Sequence, residues 1–252
     1  MIKDIPREPD DAATQTRLNG QRILITGAAA GLGLTLAQRA ASEGATVILL
    51  DKNLQGLEKA FDQITESGGV EPALYPLDLL GAQPDDYLAL AERIENQIGG
   101  LDWLINNAAE LGQTAPLALQ EPQQWLHTLQ TNLNGPFLLT QCCLRLLQKS
   151  QGKIAFISDV AGREGRAAMG AYGVSKFAVE GLMATLAAEA SNANPVTSCS
   201  IDPGPMRTAL RRQAYAGEMA SEVPATDGVA AAIIKLLDPE HAVVNGTRYR
   251  II

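Results

Sequence analysis

Five short apolar runs constrain this chain more than anything else in it: RILIT (22–26), TVILL (46–50), DWLIN (102–106), KIAFIS (153–158) and VTSCSI (196–201). Most carry apolar residues in succession, the pattern of strands buried on both faces of a parallel sheet. Helix-length segments lie between them, including Leu32–Ser42, Leu54–Ser67 and Asp85–Ile98. The segment Glu121–Ser150 is long enough for one extended helix, bent near Gly135-Pro136 because proline cannot donate to the helix ladder. TRYRII, residues 247–252, reads as a last strand. Strands alternating with helices imply right-handed crossovers, hence an α/β fold with a doubly wound parallel sheet and helices on both faces. No linker or internal repeat interrupts the pattern. The expectation is one domain over residues 20–252, preceded by a polar tail at 1–19.

Composition excludes several classes of partner. A net charge of -8 argues against nucleic acid, whose phosphates demand clustered cations. No apolar run approaches the roughly 20 residues of a membrane span. Cys142, Cys143 and Cys199 have no metal-ligand spacing and fit a reducing compartment. The tail has no apolar core of a signal peptide. These features predict a cytoplasmic protein with no resident metal.

The first strand runs into TGAAAGLG, with Gly27, Gly31 and Gly33 opening the first helix. In that context backbone N–H groups at a helix N-terminus face a pyrophosphate, and absent side chains let it approach, as in Rossmann-like sheets. Asp51 ends the second strand where a carboxylate accepts from ribose hydroxyls and repels a 2′-phosphate. Ala30 supplies no compensating cation, so NAD(H) is the favoured cofactor. Lys52 beside Asp51 keeps NADP(H) open.

Six motifs in order resemble those of the short-chain dehydrogenase/reductase family, from about Gln21 to the C-terminus. TGAAAGLG, with Leu32 between its last two glycines, is similar to the TGxxxGxG turn. Leu77-Asp78, followed by Leu79, resembles the pair that contacts adenine. NNAA (106–109) resembles NNAG, placing Asn106 and Ala108 at the cofactor with Ala109 in place of glycine. TNLNG carries the family's helix asparagine as Asn132. YGVSK supplies Tyr172 and Lys176, and DPGPMRT brings Pro203, Gly204 and the nicotinamide-contacting Thr208. The resemblance implies an oxidoreductase that interconverts an alcohol and a carbonyl, with Tyr172 as acid/base, Lys176 on the nicotinamide ribose and Asn132 holding a relay water. Four apart on a helix, Tyr172 and Lys176 share one face. An ammonium and an oxidised nicotinamide there predict a lowered tyrosine pKa.

Thirteen positions before the tyrosine, where the family carries a carbonyl-binding serine, stands Asp159. Ser158 precedes it but points to the opposite face of the strand unless the register shifts. An ionised carboxylate repels a developing oxyanion and raises the tyrosine's pKa. Three outcomes stay open: a protonated Asp159 that donates, an Asp159 paired with Arg163, Arg166 or Arg207, or a site that has lost this reaction. The last motivates a second function, a dinucleotide-binding protein with little turnover that serves as sensor or assembly partner. The segment after Pro205 reads as a mobile wall of the pocket, with Arg207, Arg211 and Arg212 on a solvated helix face. The apolar stretches FLLTQCCLRLL and FAVEGLMATLAAEA predict a homo-oligomer, dimer or tetramer.

Overall fold

A computed structural model describes residues 1–7 and 16–252. Eight strands form one all-parallel sheet in the order β1-β8-β7-β6-β5-β2-β3-β4. Their spans are β1 (Ile2–Ile5), β2 (Arg22–Thr26), β3 (Thr46–Asp51), β4 (Ala73–Pro76), β5 (Trp103–Asn106), β6 (Lys153–Ile157), β7 (Thr197–Asp202) and β8 (Thr247–Ile251). Successive residues of the apolar runs divide between two cores. Ile23 and Ile25 of β2 and Val47 and Leu49 of β3 join one cluster with helices α1 (Gly31–Ser42) and α8 (Asp227–Leu237). Leu24, Ile48 and Leu50 join the other, with α3 (Pro84–Ile98), α5 (Gly135–Ser150) and α6 (Gly170–Glu189). The fold class is therefore as expected, a doubly wound parallel sheet with helices on both sides. Each such side chain, at or near complete burial, contributes about 1.5–3 kcal/mol.

From β2 the strand order runs to β3 and β4 on one side and to β5, β6 and β7 on the other. The connections part at the carboxyl ends of β2 and β5, which opens the crevice where ligands settle in sheets of this kind. Helix α2 (Leu54–Glu66) follows β3, and the short α7 (Ala209–Ala214) follows β7.

Two segments depart from expectation. Ile2–Ile5, assigned to a polar tail, form edge strand β1, paired with β8 from Ile2↔Arg248 to Ile5↔Ile251. Its polar residues suit an exposed edge, and Asp4 accepts two hydrogen bonds from Arg250 at 2.8 Å. Residues 8–15 of that tail lie outside the described residues. The long helix at Glu121–Ser150 is found as α4 (Pro122–Leu129), a wide π-turn over Gln130–Asn134, and α5. Gly135 N–H reaches back to Gln130 O, and Pro136 brings no N–H to the next position. The irregularity thus falls just before Gly135 and centres on Asn132. No helix among the described residues is long and apolar enough to cross a membrane.

Candidate active site

The turn after β2 is shaped by backbone crowding. Gly27 and Gly31 have φ of 68° and 55°, which L side chains rarely adopt. Gly33 has a different reason to be glycine: a Cβ there would stand 2.1 Å from Gly27 O. Ala30 caps α1 without a side-chain bond, so the first N–H groups of that helix face the crevice. Asn107 Nδ2 donates to Thr26 O at 2.8 Å, and Thr26 Oγ1 accepts from the N–H groups of Asn107 and Ala108 at 2.9 Å, locking the β2 turn to the end of β5. A phosphate cradle is present, and the residues fit a dinucleotide.

Asp51 has committed both carboxylate oxygens to backbone: Oδ2 accepts from Ala29 N–H at 3.1 Å and Oδ1 from Asn53 N–H at 2.9 Å. Lys52 Nζ lies 2.6 Å from Glu110 Oε1. A cavity of about 120 Å³ joins Asp51 and Lys52 to Asp78, Leu79 and Ala108.

A larger cavity, about 310 Å³, continues from Gly27, Gly31 and Leu32 past Pro203, Gly204 and Thr208 to Tyr172 and Lys176. Asn106 is not among the residues that line either cavity. Its buried amide donates to Thr140 Oγ1 at 3.3 Å, away from the cleft, because neighbouring residues at a strand end point to opposite faces. Asn107, which the motif comparison passed over, lines the cleft instead.

At the far end, α6 presents Tyr172, Lys176 and Glu180 in steps of four. Tyr172 Oη donates to Asp159 Oδ2 at 3.0 Å, and Asp159 Oδ1 caps the 3-10 turn Val160–Gly162 by accepting from Ala161 N–H at 2.7 Å. The unshifted count is thus the one that reaches the tyrosine. Ser158 is buried, and its hydroxyl has no protein partner. Lys176 Nζ donates to Ile157 O at 2.7 Å. Asn132 Oδ1 accepts from Glu110 N–H at 2.8 Å, while Nδ2 donates to Glu110 O at 2.8 Å and Ser175 Oγ at 3.1 Å.

Burial and the Asp159 carboxylate act together on the tyrosine, in the direction expected of that carboxylate and opposite to that expected of the ammonium and a bound nicotinamide. The Tyr172 phenol is held well above its ordinary 10, first by burial and then by the Asp159 carboxylate. Burial also pulls the Lys176 ammonium down to about 8. The tyrosine therefore rests as a phenol.

None of the three arginines proposed as partners meets Asp159. Arg163 turns to Glu180 at 3.2 Å, Arg166 to Tyr215 Oη at 3.2 Å and Arg207 to Val223 O at 3.2 Å. Arg211 forms a two-point pair with Glu218 at 2.8 and 2.7 Å and lies over the Tyr215 ring. The remaining walls near Asp159 are apolar, with Leu111, Met169, Met206 and Leu210. Met206 and Leu210 belong to the segment after Pro205 expected as a wall of the pocket, whereas Leu111 was not singled out, since an isolated apolar residue in a loop carries no period.

Fold and cleft together define a doubly wound α/β protein with a glycine-built cradle and a Tyr–Lys pair facing one cavity. Residues 21–219 match the short chain dehydrogenase family, and the chain belongs to it as an oxidoreductase of that type. It is 43% identical to the uncharacterised oxidoreductase YciK of Escherichia coli K12 over 205 residues, 81% of either chain. A short chain dehydrogenase of Pseudomonas syringae superposes with a TM-score of 0.91 at 38% identity, over 99% of each chain. Another, from Shigella flexneri and solved as a complex with NADP, gives 0.90 at 37% identity over 94% of this chain and 98% of that one.

Proposed function

We propose that the protein interconverts an alcohol and a carbonyl compound with a nicotinamide dinucleotide, Tyr172 exchanging the proton. What carries this reading is the placement of Tyr172 and Lys176 on one cavity with the glycine cradle of α1. When bound, the nicotinamide supplies the hydride acceptor or donor. The cradle and Thr208 hold and orient it, Tyr172 Oη serves the substrate oxygen, and Lys176, pinned to Ile157 O, keeps its charge at the nicotinamide ribose end. Asn132 braces the Glu110 segment and the back of α6 through Ser175. The apolar walls favour a substrate whose carbon skeleton is largely unsubstituted. An alcohol and ketone panel read by nicotinamide absorbance tests this. Tyr172→Phe should lose nearly all turnover with any responsive substrate, and unchanged turnover would refute the assignment.

The NADP bound by the Shigella neighbour supports NADP(H) and weighs against the NAD(H) preference read from Asp51. Both Asp51 oxygens already accept from backbone, and Lys52 lines the same cavity with the cation that a 2′-phosphate needs. Calorimetry with both reduced cofactors decides: tighter NADPH is expected, and tighter NADH restores the carboxylate argument. A homo-oligomer is supported by large apolar side chains left exposed on α4 to α6, Leu126, Phe137, Val174 and Phe177. Light scattering should give a multiple of the 26.7 kDa chain. Three free cysteines agree with a cytoplasmic setting.

A further inference from the structure

Resting on the reading of Tyr172 above, we propose that Asp159 is the proton acceptor of this site and that Tyr172 relays the proton as a phenol. The geometry is direct. The phenol already donates to Asp159 Oδ2 at 3.0 Å, and the other carboxylate oxygen is fixed by Ala161 N–H at 2.7 Å. In alcohol oxidation the substrate O–H bond breaks and its proton goes to Tyr172 Oη. The phenol's own proton crosses the existing hydrogen bond to Asp159, which becomes a carboxylic acid. The C=O bond forms as the carbinol C–H bond breaks, and a bound oxidised nicotinamide would be the acceptor of that bond's electron pair. Asp159 is half-buried on the open cavity, so its proton then passes to solvent. Reduction runs the same steps backwards and begins from the carboxylic acid.

No phenolate is formed at any point, which suits a tyrosine whose burial opposes ionisation. Around the dyad stand Lys176 and Glu180 from α6, Asp202 from the end of β7, Arg211 from α7 and Tyr215 after it. Glu180 and Arg211 are ion-paired, with Arg163 and Glu218 respectively. Lys176 is the nearby ammonium, and it is hydrogen-bonded to Ile157 O.

The test joins a titration without cofactor to rate profiles. In protein labelled with ¹³Cζ-tyrosine, the Tyr172 resonance, assigned with Tyr172→Phe, should stay that of a phenol through about pH 10 in the wild type. In Asp159→Asn and Asp159→Ser it should ionise at lower pH, because a facing negative charge is gone. Asparagine is isosteric and still accepts from Ala161 N–H, and circular dichroism checks both folds. The rate profiles follow from which group takes the proton. Lys176 titrates near 8 in either protein, so the wild-type kcat/KM is read against that of Asp159→Ser at the same pH. Asp159→Ser, forced to use phenolate, should gain on the wild type by roughly tenfold per pH unit in both directions. Asp159→Glu should retain the wild-type pattern. A Tyr172 titration unmoved by Asp159→Asn, or a wild-type oxidation rate that climbs with pH as steeply as that of Asp159→Ser, overturns the relay. Turnover surviving in Tyr172→Phe instead defeats the underlying reading of the tyrosine, so the two failures are separable.

Discussion

Consider Arg163→Met. The arginine side chain is 12% exposed and sits 3.2 Å from Glu180, whose own side chain is 4% exposed. It also lies 3.9 Å from Asp202 and donates to Tyr249 O at 3.4 Å. Removing one partner of a buried ion pair costs about 3–5 kcal/mol, because a charge is left without its counterion. Here the low end applies, about 3 kcal/mol, since Glu180 keeps Arg248 at 2.9 Å and Ser200 Oγ at 2.9 Å. Replacing both residues in Arg163→Met/Glu180→Met removes the stranded charge, and Arg248, 41% exposed, can turn to solvent. The double variant should recover most of the loss, a coupling of 1 kcal/mol or more in a double-mutant cycle, as an order of magnitude. Urea unfolding at neutral pH measures all four proteins. A single-variant loss under about 1 kcal/mol, or strict additivity in the double, would refute the argument that this pair is a buried clamp.

Three further outcomes follow from particular contacts. Lys176→Met should flatten the alkaline part of the stability profile. The native ammonium sits at about 8 against 10.5 unfolded, so the unfolded chain binds more protons between those values and wild-type stability rises with pH there. That rise, about 3 kcal/mol between about pH 7 and 10.5, should be missing from Lys176→Met, which also loses the bond to Ile157 O at every pH, and denaturant titrations of both proteins check it. Gly33→Ala places a methyl 2.1 Å from Gly27 O and must move the cradle, so cofactor affinity by calorimetry should fall at least tenfold, on the order of 1.4 kcal/mol. Gly162→Ala sets a Cβ 2.8 Å from the Lys176 backbone carbonyl. It should lower turnover, read with the same substrate panel, because it pushes α6 at Lys176 away from the loop that carries Asp159.

How far the sequence carried each of these residues depended on burial and on range. Strands β2, β3, β5 and β6 were legible because both their faces are covered, which writes a run of successive apolar residues, while β7, equally covered, interleaves Ser198 and Ser200, whose hydroxyls bond Met183 O and Glu180. The edge strands β1 and β4 were not, since IKDI and ALYP lie mostly half-buried or exposed and are held by pairing and local contacts. Counting back from Tyr172 found Asp159, but no count says that its carboxylate bonds the phenol directly. Arg163 and Glu180 are 17 residues apart and were read as unrelated, one as a candidate partner for Asp159 and the other not at all. Asn106 and Asn107 differ only in which side of a strand end they face, and a motif that contains both cannot tell them apart. The raised tyrosine was half legible: the Asp159 carboxylate that pushes it up stands in the sequence, while the burial that pushes it further does not.

The clamp on α6 follows from matched pitches. Between Tyr172 and Lys176 the helix rises four residues at about 1.5 Å, or about 6 Å. Between Asp159 and Gly162 the facing loop advances three residues in a 3-10 turn at about 2.0 Å each, again about 6 Å, closed by Gly162 N–H to Asp159 O at 2.8 Å. One turn of loop therefore keeps step with one turn of helix: Asp159 meets Tyr172, and Gly162 meets the Lys176 backbone. The next helical step brings Glu180, which Arg163 reaches with its long side chain. Glycine is required at the middle contact because two backbones meet there, whereas the outer contacts are made by side chains. The carboxylate at 159 is thus held from both ends of a rigid strut, by its own cap on Ala161 and by the ion pair beyond. Its hydrogen bond to the phenol, 3.0 Å long, is consequently held in place by the backbone step beneath it, which is the condition for passing a proton along it.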